Sequence, residues 1–244
     1  MLKIDQSITR KYIPHFVWTH ISTINVSEVK TWIISLTFIW LNVFCVLPVV
    51  GNTFVKSYFL AVIIPIAILN IWGLAILFRN FYSVQMETIY FIAANGLVGL
   101  YCHFIVAQKI AYADAGATSY AFLIISSLLY VGFIIYFIYY YYRRFSDVKR
   151  EMESKLLHFL GVILLFLPSN GYSFYHFYVK NNPFAEYITA FIWLLLGIFF
   201  IYIGVRFCHK ILFIKANSNL FRYQQPSKKE LKQALAKGKN IIVR

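Results

Sequence analysis

Negative charge is what this chain has least of. Only 9 of its 244 residues are Asp or Glu, against 23 Lys or Arg, and charged residues together make up 13%. A soluble globular domain carries about 25%, so no water-facing surface of ordinary size can be built from this sequence. Carboxylates are also missing from the interiors of the long apolar runs: Glu87 stands at the inner edge of one run, and Asp114 and Glu186 stand at outer edges. Proton pumps and rotors place a carboxylate well inside the membrane. That class is therefore disfavoured.

Cysteine is scarce too. Cys45, Cys102 and Cys208 are far apart, form no CxxC pair, and suggest neither a disulfide framework nor a zinc site. They read as small apolar side chains. No unbroken apolar stretch follows the first residues, where Lys3, Asp5, Arg10 and Lys11 are succeeded by polar residues up to Lys30. A cleaved signal peptide needs an h-region of about 7–15 apolar residues there, so the first span is expected to act as an uncleaved signal anchor. The GxSxG, HExxH and P-loop patterns are absent as well. No catalytic residue and no metal ligand is nominated, and an enzyme is not the favoured class.

What the chain does have is hydrophobicity, at 60% of residues. Six runs are each long enough for a hydrocarbon core of about 30 Å: Thr31 to Val50, Phe54 to Phe78, Met86 to Gln108, Ser119 to Tyr142, Leu156 to Val179 and Ala185 to Val205. The fifth is interrupted by Pro168, Ser169, Asn170 and Gly171. The expected fold is an all-α, polytopic integral membrane protein with six transmembrane helices and cytoplasmic N- and C-termini. Its parts are a cytoplasmic amphipathic segment (1–30), a six-helix transmembrane domain (31–205) and a basic tail with a short helix (206–244).

Charge asymmetry supports this topology, because Lys and Arg are retained on the cytoplasmic side. The four inside segments hold 4, 1, 5 and 10 Lys or Arg, which is 20 of the 23, leaving Lys56, Lys109 and Lys180 outside. A re-entrant fifth segment would instead leave 11 inside and 12 outside. Tyr136, Tyr139, Tyr140, Tyr141 and Tyr142 lead into Arg143 and Arg144, as an interfacial aromatic belt followed by a cytoplasmic anchor. The net charge of +14 follows from the same bias and requires no nucleic acid.

Two pieces lie outside the runs. Ile13, Phe16, Val17, Ile21 and Ile24 recur at mostly helical spacing and predict a helix with one apolar face along the membrane surface; His15 and His20 are expected on its exposed side. In the tail, Pro226 and Ser227-Lys228-Lys229-Glu230 form a helix start signal. This basic helix is expected to meet anionic lipid, with a protein partner or a second copy of the chain as further candidates. Leu47-Pro48-Val49-Val50-Gly51 is echoed by Leu167-Pro168-Ser169-Asn170-Gly171, a suggestion of a parallel repeat.

Polar side chains inside the runs are the functional candidates, since hydrocarbon makes them costly. Asn42, Asn70 and Asn95 fall near mid-span and Asn170 slightly further out. With Ser169 and Gly171 they form the candidate substrate-binding set, and the Pro168 break resembles in composition the broken helices of transporters. The alternative for Asn is interhelical glue, worth about 0.6 kcal/mol per hydrogen bond. Histidine offers a second constellation: His103 and His176 at the outer level, His158 and His209 at the inner one. Two such levels suit haem b held by facing helices. No cofactor is expected under the leading reading, a small-solute or ion transporter or the permease subunit of a larger complex. The alternatives are a haem-binding electron-transfer subunit and an accessory or immunity-type membrane protein. The expected location is a bacterial cytoplasmic membrane.

Overall fold

The computed structural model describes residues 4, 13–51, 53–146, 184–228, 231, 232 and 236. Every regular element among them is helical. A short helix, α1 (His15–Ile21), precedes five that are long and apolar enough to cross a membrane: α2 (Val26–Val50), α3 (Lys56–Leu77), α4 (Gln85–Asp114), α5 (Ala121–Ser146) and α6 (Ala185–Ala216). The expected run from Leu156 to Val179, and with it the Pro168 half of the echo, lies outside the described residues.

Helix ends follow local chemistry more than hydropathy. α2 begins at Val26, ahead of its apolar run, because the Asn25 side chain accepts a hydrogen bond from Ser27 N–H and Glu28 occupies the first turn. Both favour a helix N-terminus. α6 continues past Val205 to Ala216, since Phe207, Phe213 and Ile214 keep its inner turns packed. α4 closes with Ala117 N–H donating to the Ala111 carbonyl, and Gly116 at φ 70° supplies the left-handed residue such a cap requires.

From Ile34 to Val46, α2 is wound as a π-helix. Its buried positions Ile33, Thr37, Leu41, Cys45 and Val49 recur every four residues. In a helix of 3.6 residues per turn such a series drifts by about 40° each step; the wider turn keeps it on one face. Pro48 has no N–H to offer the carbonyl of Phe44 one turn earlier. The indole of Trp193 on α6 donates to that carbonyl at 2.6 Å.

The core is the antiparallel pair α4 and α6. Gly96 lies so close to Gly204 that a Cβ there would overlap backbone, Gly99 faces the ring of Phe200, and Gly197 sits against Tyr130 and His103. Small residues allow such approach where lipid gives no hydrophobic drive for helices to associate. Around this pair the arrangement is the reverse of a soluble protein. Ile39 on α2, Ile68 and Ile71 on α3, and Ile125 and Leu128 on α5 are exposed, while Thr37, Asn95, His103, Gln108 and Ser126 are buried. This is the distribution of an integral membrane protein.

The two ends of the bundle are separately tied. At one end Gln224 joins the starts of α2 and α4: its Oε1 accepts from Val26 N–H, its N–H donates to Gln85 Oε1, and its carbonyl accepts from Gln85 Nε2. At the other end Lys109 Nζ donates to the Gly51 carbonyl, joining the end of α2 to that of α4. Phe145 at the end of α5 packs against His209 and Phe213 near the end of α6. α2, α3, α4 and α5 thus alternate in direction, and α5 and α6 run the same way.

Candidate functional site

The candidate amides separate into two groups. Asn42 and Asn70 face each other across α2 and α3 in a reciprocal pair, Asn42 Nδ2 donating to Asn70 Oδ1 at 3.3 Å and Asn70 Nδ2 to Asn42 Oδ1 at 3.0 Å. Asn42 Nδ2 also reaches the Phe38 carbonyl. Asn95 is not part of this pair. It is fully buried on α4, its Nδ2 donates to Thr37 Oγ1 on α2, and its Oδ1 has no partner among the described residues. Ser169, Asn170 and Gly171 lie outside the described residues, so the described structure does not place them relative to these amides.

Unpaired polar atoms cluster on the same helices. The indole N–H of Trp40 on α2 and the Oε1 of Gln108 on α4 are also buried without a partner among the described residues; Gln108 Nε2 donates to Ser126 Oγ on α5. A buried polar group left unmade costs about 1–3 kcal/mol. Asn95 Oδ1 therefore marks a place where a further polar atom, beyond those of the described residues, would be favoured.

The histidines are placed by packing. His103 is fully buried, stacked on Phe200 at 4.9 Å between ring centroids, and Nδ1 donates to the Gly99 carbonyl at 2.7 Å. That bond leaves Nε2 as the ring's acceptor, and Cys45 Sγ lies 3.5 Å from Nδ1 and 3.9 Å from Nε2. His209 lies at the opposite end of α6, where Nδ1 is 2.9 Å from His20 Nε2. His103 and His209 thus occupy separate contacts, and His158 and His176 fall outside the described residues.

His20 corrects one expectation. It is buried, not on the exposed side of α1, and packs against Tyr141, Phe145, His209 and Phe213. Burial, then the nearby His209, Lys210, Arg206 and Arg144, pushes its pKa down to about 2. Val17 and Ile21 are buried in the same cluster, so the apolar face of α1 covers protein at this end of the bundle. His15 is exposed.

One arrangement escaped the sequence reading altogether. Lys109 and Asp114 form a buried ion pair, with side-chain exposures of 0% and 4%. Both Asp114 oxygens accept from Lys109 Nζ, at 2.9 and 2.8 Å, and Oδ1 also accepts from Thr53 N–H. The residues are five apart, a spacing that does not align on an α-helix. Residues Ile110–Asp114 are π-wound, and i→i+5 winding is what brings the two together. With every donor of Lys109 Nζ engaged, this is a clasp on the C-terminal ends of α2 and α4. No protein-family model, no curated protein and no solved structure matches the chain.

Proposed function

We propose that this integral membrane protein carries a small polar solute or ion, alone or as the permease subunit of a larger complex, along the seam between α2 and α4. The carrying observation is Asn95 Oδ1, without a partner among the described residues and fully buried at mid-helix beside Thr37. It faces a π-wound stretch of α2, and π-turns occur often at functional sites. The wider turn weakens the backbone ladder where a polar guest needs carbonyls.

The topology that goes with this proposal has six spans and cytoplasmic termini. Its support is the parallel course of α5 and α6, which puts the end of α5 at Phe145 and the start of α6 at Ala185 at opposite ends of the bundle. The Lys and Arg asymmetry supports the same orientation and placement in a cytoplasmic membrane.

The test is stopped-flow flux into proteoliposomes, using a panel of small neutral solutes and monovalent ions. Wild type should exceed empty vesicles for a member of the panel, and Asn95→Leu and Thr37→Val should abolish the excess. Equal flux in wild type and Asn95→Leu overturns the seam. A second reading, a protein that works through contacts alone, is favoured by the closed Asn42–Asn70 pair. Under that reading no member of the panel crosses.

A further inference from the structure

At the end of the bundle where α1, α5 and α6 meet, cations accumulate with no carboxylate paired to them among the described residues. Arg144 is half-buried, with its guanidinium 5.4 Å from the Phe16 ring centroid and one N–H donated to the Tyr140 hydroxyl at 2.7 Å. Arg206, one helix away, donates to the Tyr202 hydroxyl at 3.0 Å and lies over the Tyr202 and Phe207 rings. Lys210 follows one turn later, 7% exposed, its Nζ reaching the Thr19 carbonyl at 3.3 Å and no other acceptor among the described residues. Tyr141 stacks between, 6.3 Å from Tyr202 and 5.5 Å from His209.

Ion pairs among the described residues are Arg79–Glu87 and Lys109–Asp114, and neither is here. A guanidinium has five N–H donors and an ammonium three, so most donors of these three side chains have no acceptor among the described residues. These three partly desolvated cations all lie near His20, and cations brought together in this way repel each other and favour an anion between them. Guanidinium forks match the paired oxygens of a phosphate. The position is at the ends of two apolar helices, inside a ring of tyrosines, the level at which headgroups sit.

We propose that Arg144, Arg206 and Lys210 form a binding site for a phosphate group, that of an anionic phospholipid at the cytoplasmic boundary. The Tyr140 hydroxyl, which accepts from Arg144, keeps its own O–H free to donate to the same phosphate. The cluster is distinct from the seam at Asn95 and does not depend on it.

The experiment uses the purified full chain in a zwitterionic detergent. Its thermal midpoint is followed against short-chain phosphatidylglycerol, short-chain phosphatidylcholine and inorganic phosphate. Phosphatidylglycerol should raise the midpoint saturably where phosphatidylcholine does not. The double variant R206Q/K210Q should weaken that binding at least about tenfold, as expected for lost charge-assisted hydrogen bonds. The variant Lys56→Gln, at an exposed lysine at the opposite end of the bundle, should leave it unchanged. A matching rise with inorganic phosphate alone assigns the site to soluble phosphate and overturns the lipid. Equal responses to phosphatidylglycerol and phosphatidylcholine in the wild type overturn the site itself, without any variant having to fold.

Discussion

Asn42 and Asn70 are half-buried between helices whose other neighbour is lipid, so each amide depends on the other. Removing one strands its partner; removing both leaves two apolar surfaces. Asn42→Leu and Asn70→Leu should each lower stability by about 0.6 to 1.7 kcal/mol, and the double variant by less than the sum. Unfolding of the four proteins in detergent checks this, and strict additivity would deny the pair any coupling. His20 makes a second prediction at this scale. Its folded pKa of about 2 lies below the ordinary 6.5, so the unfolded chain binds more protons than the folded one. Its contribution is complete above pH 6.5 and declines as pH falls from there toward 2. Burial is the main reason it resists charging, and Lys210, Arg206 and Arg144 are the nearby cations that add to it. His209, itself pushed down to about 4 by burial, stays neutral over most of this range. The protection factors of the α1 amides, their exchange rates measured against those of an unstructured chain at the same pH, should fall between pH 7.5 and 5, and less so in His20→Phe; unchanged protection in wild type contradicts the sign. These partnerships were only half legible in sequence. Mid-span amides stood out by depth, but which amide meets which depends on helix order and rotation. His20 looked exposed because its partners arrive from α5 and α6.

α2 and α6 are joined by a bond whose origin lies in a missing donor. Pro48 frees the Phe44 carbonyl, and the Trp193 indole takes it at 2.6 Å. Trp193→Phe keeps most of the apolar bulk and removes the N–H. It should cost about 1 to 3 kcal/mol as the carbonyl becomes unsatisfied. Pairing with Pro48→Ala, which restores a backbone N–H, should return part of that loss; no recovery in the double variant rules out this reason for the indole. At the element scale the sequence was a good guide to which stretches are helices and a poor one to their winding. Apolar runs located all five described spans. The π-turns at Ile34–Val46 and Ile110–Asp114 were missed because hydropathy carries no record of hydrogen-bond register. The four-residue spacing from Ile33 to Val49 is the trace they leave, and the five-residue step from Lys109 to Asp114 is another.

For the whole molecule the first question is how often the chain crosses. Single cysteines introduced at 113 and 182 in a background lacking Cys45, Cys102 and Cys208 should react with an impermeant maleimide from outside. Cysteines at 83, 149 and 240 should react only after permeabilisation. Labelling of 240 from outside would overturn the six-span topology. The expected orientation rests on charge bias, which is legible in composition because it acts during insertion, ahead of any packing between helices. The association of α4 with α6 was not legible: Gly96, Gly99, Gly197 and Gly204 are ordinary glycines until their helices are set face to face.

That pairing also sets a clock. The ribosome delivers α4 well before α6, and at about 5–20 residues per second the interval between Lys109 and Ala185 lasts on the order of ten seconds. Throughout it the groove of Gly96 and Gly99 has only lipid or an insertion chaperone to cover it, and α2 and α3 pack on a helix still lacking its main neighbour. Nascent chains arrested before α6 would therefore present an incomplete bundle to membrane quality control. A change that slows synthesis between these helices would lower the yield of this protein without touching a contact in its finished form.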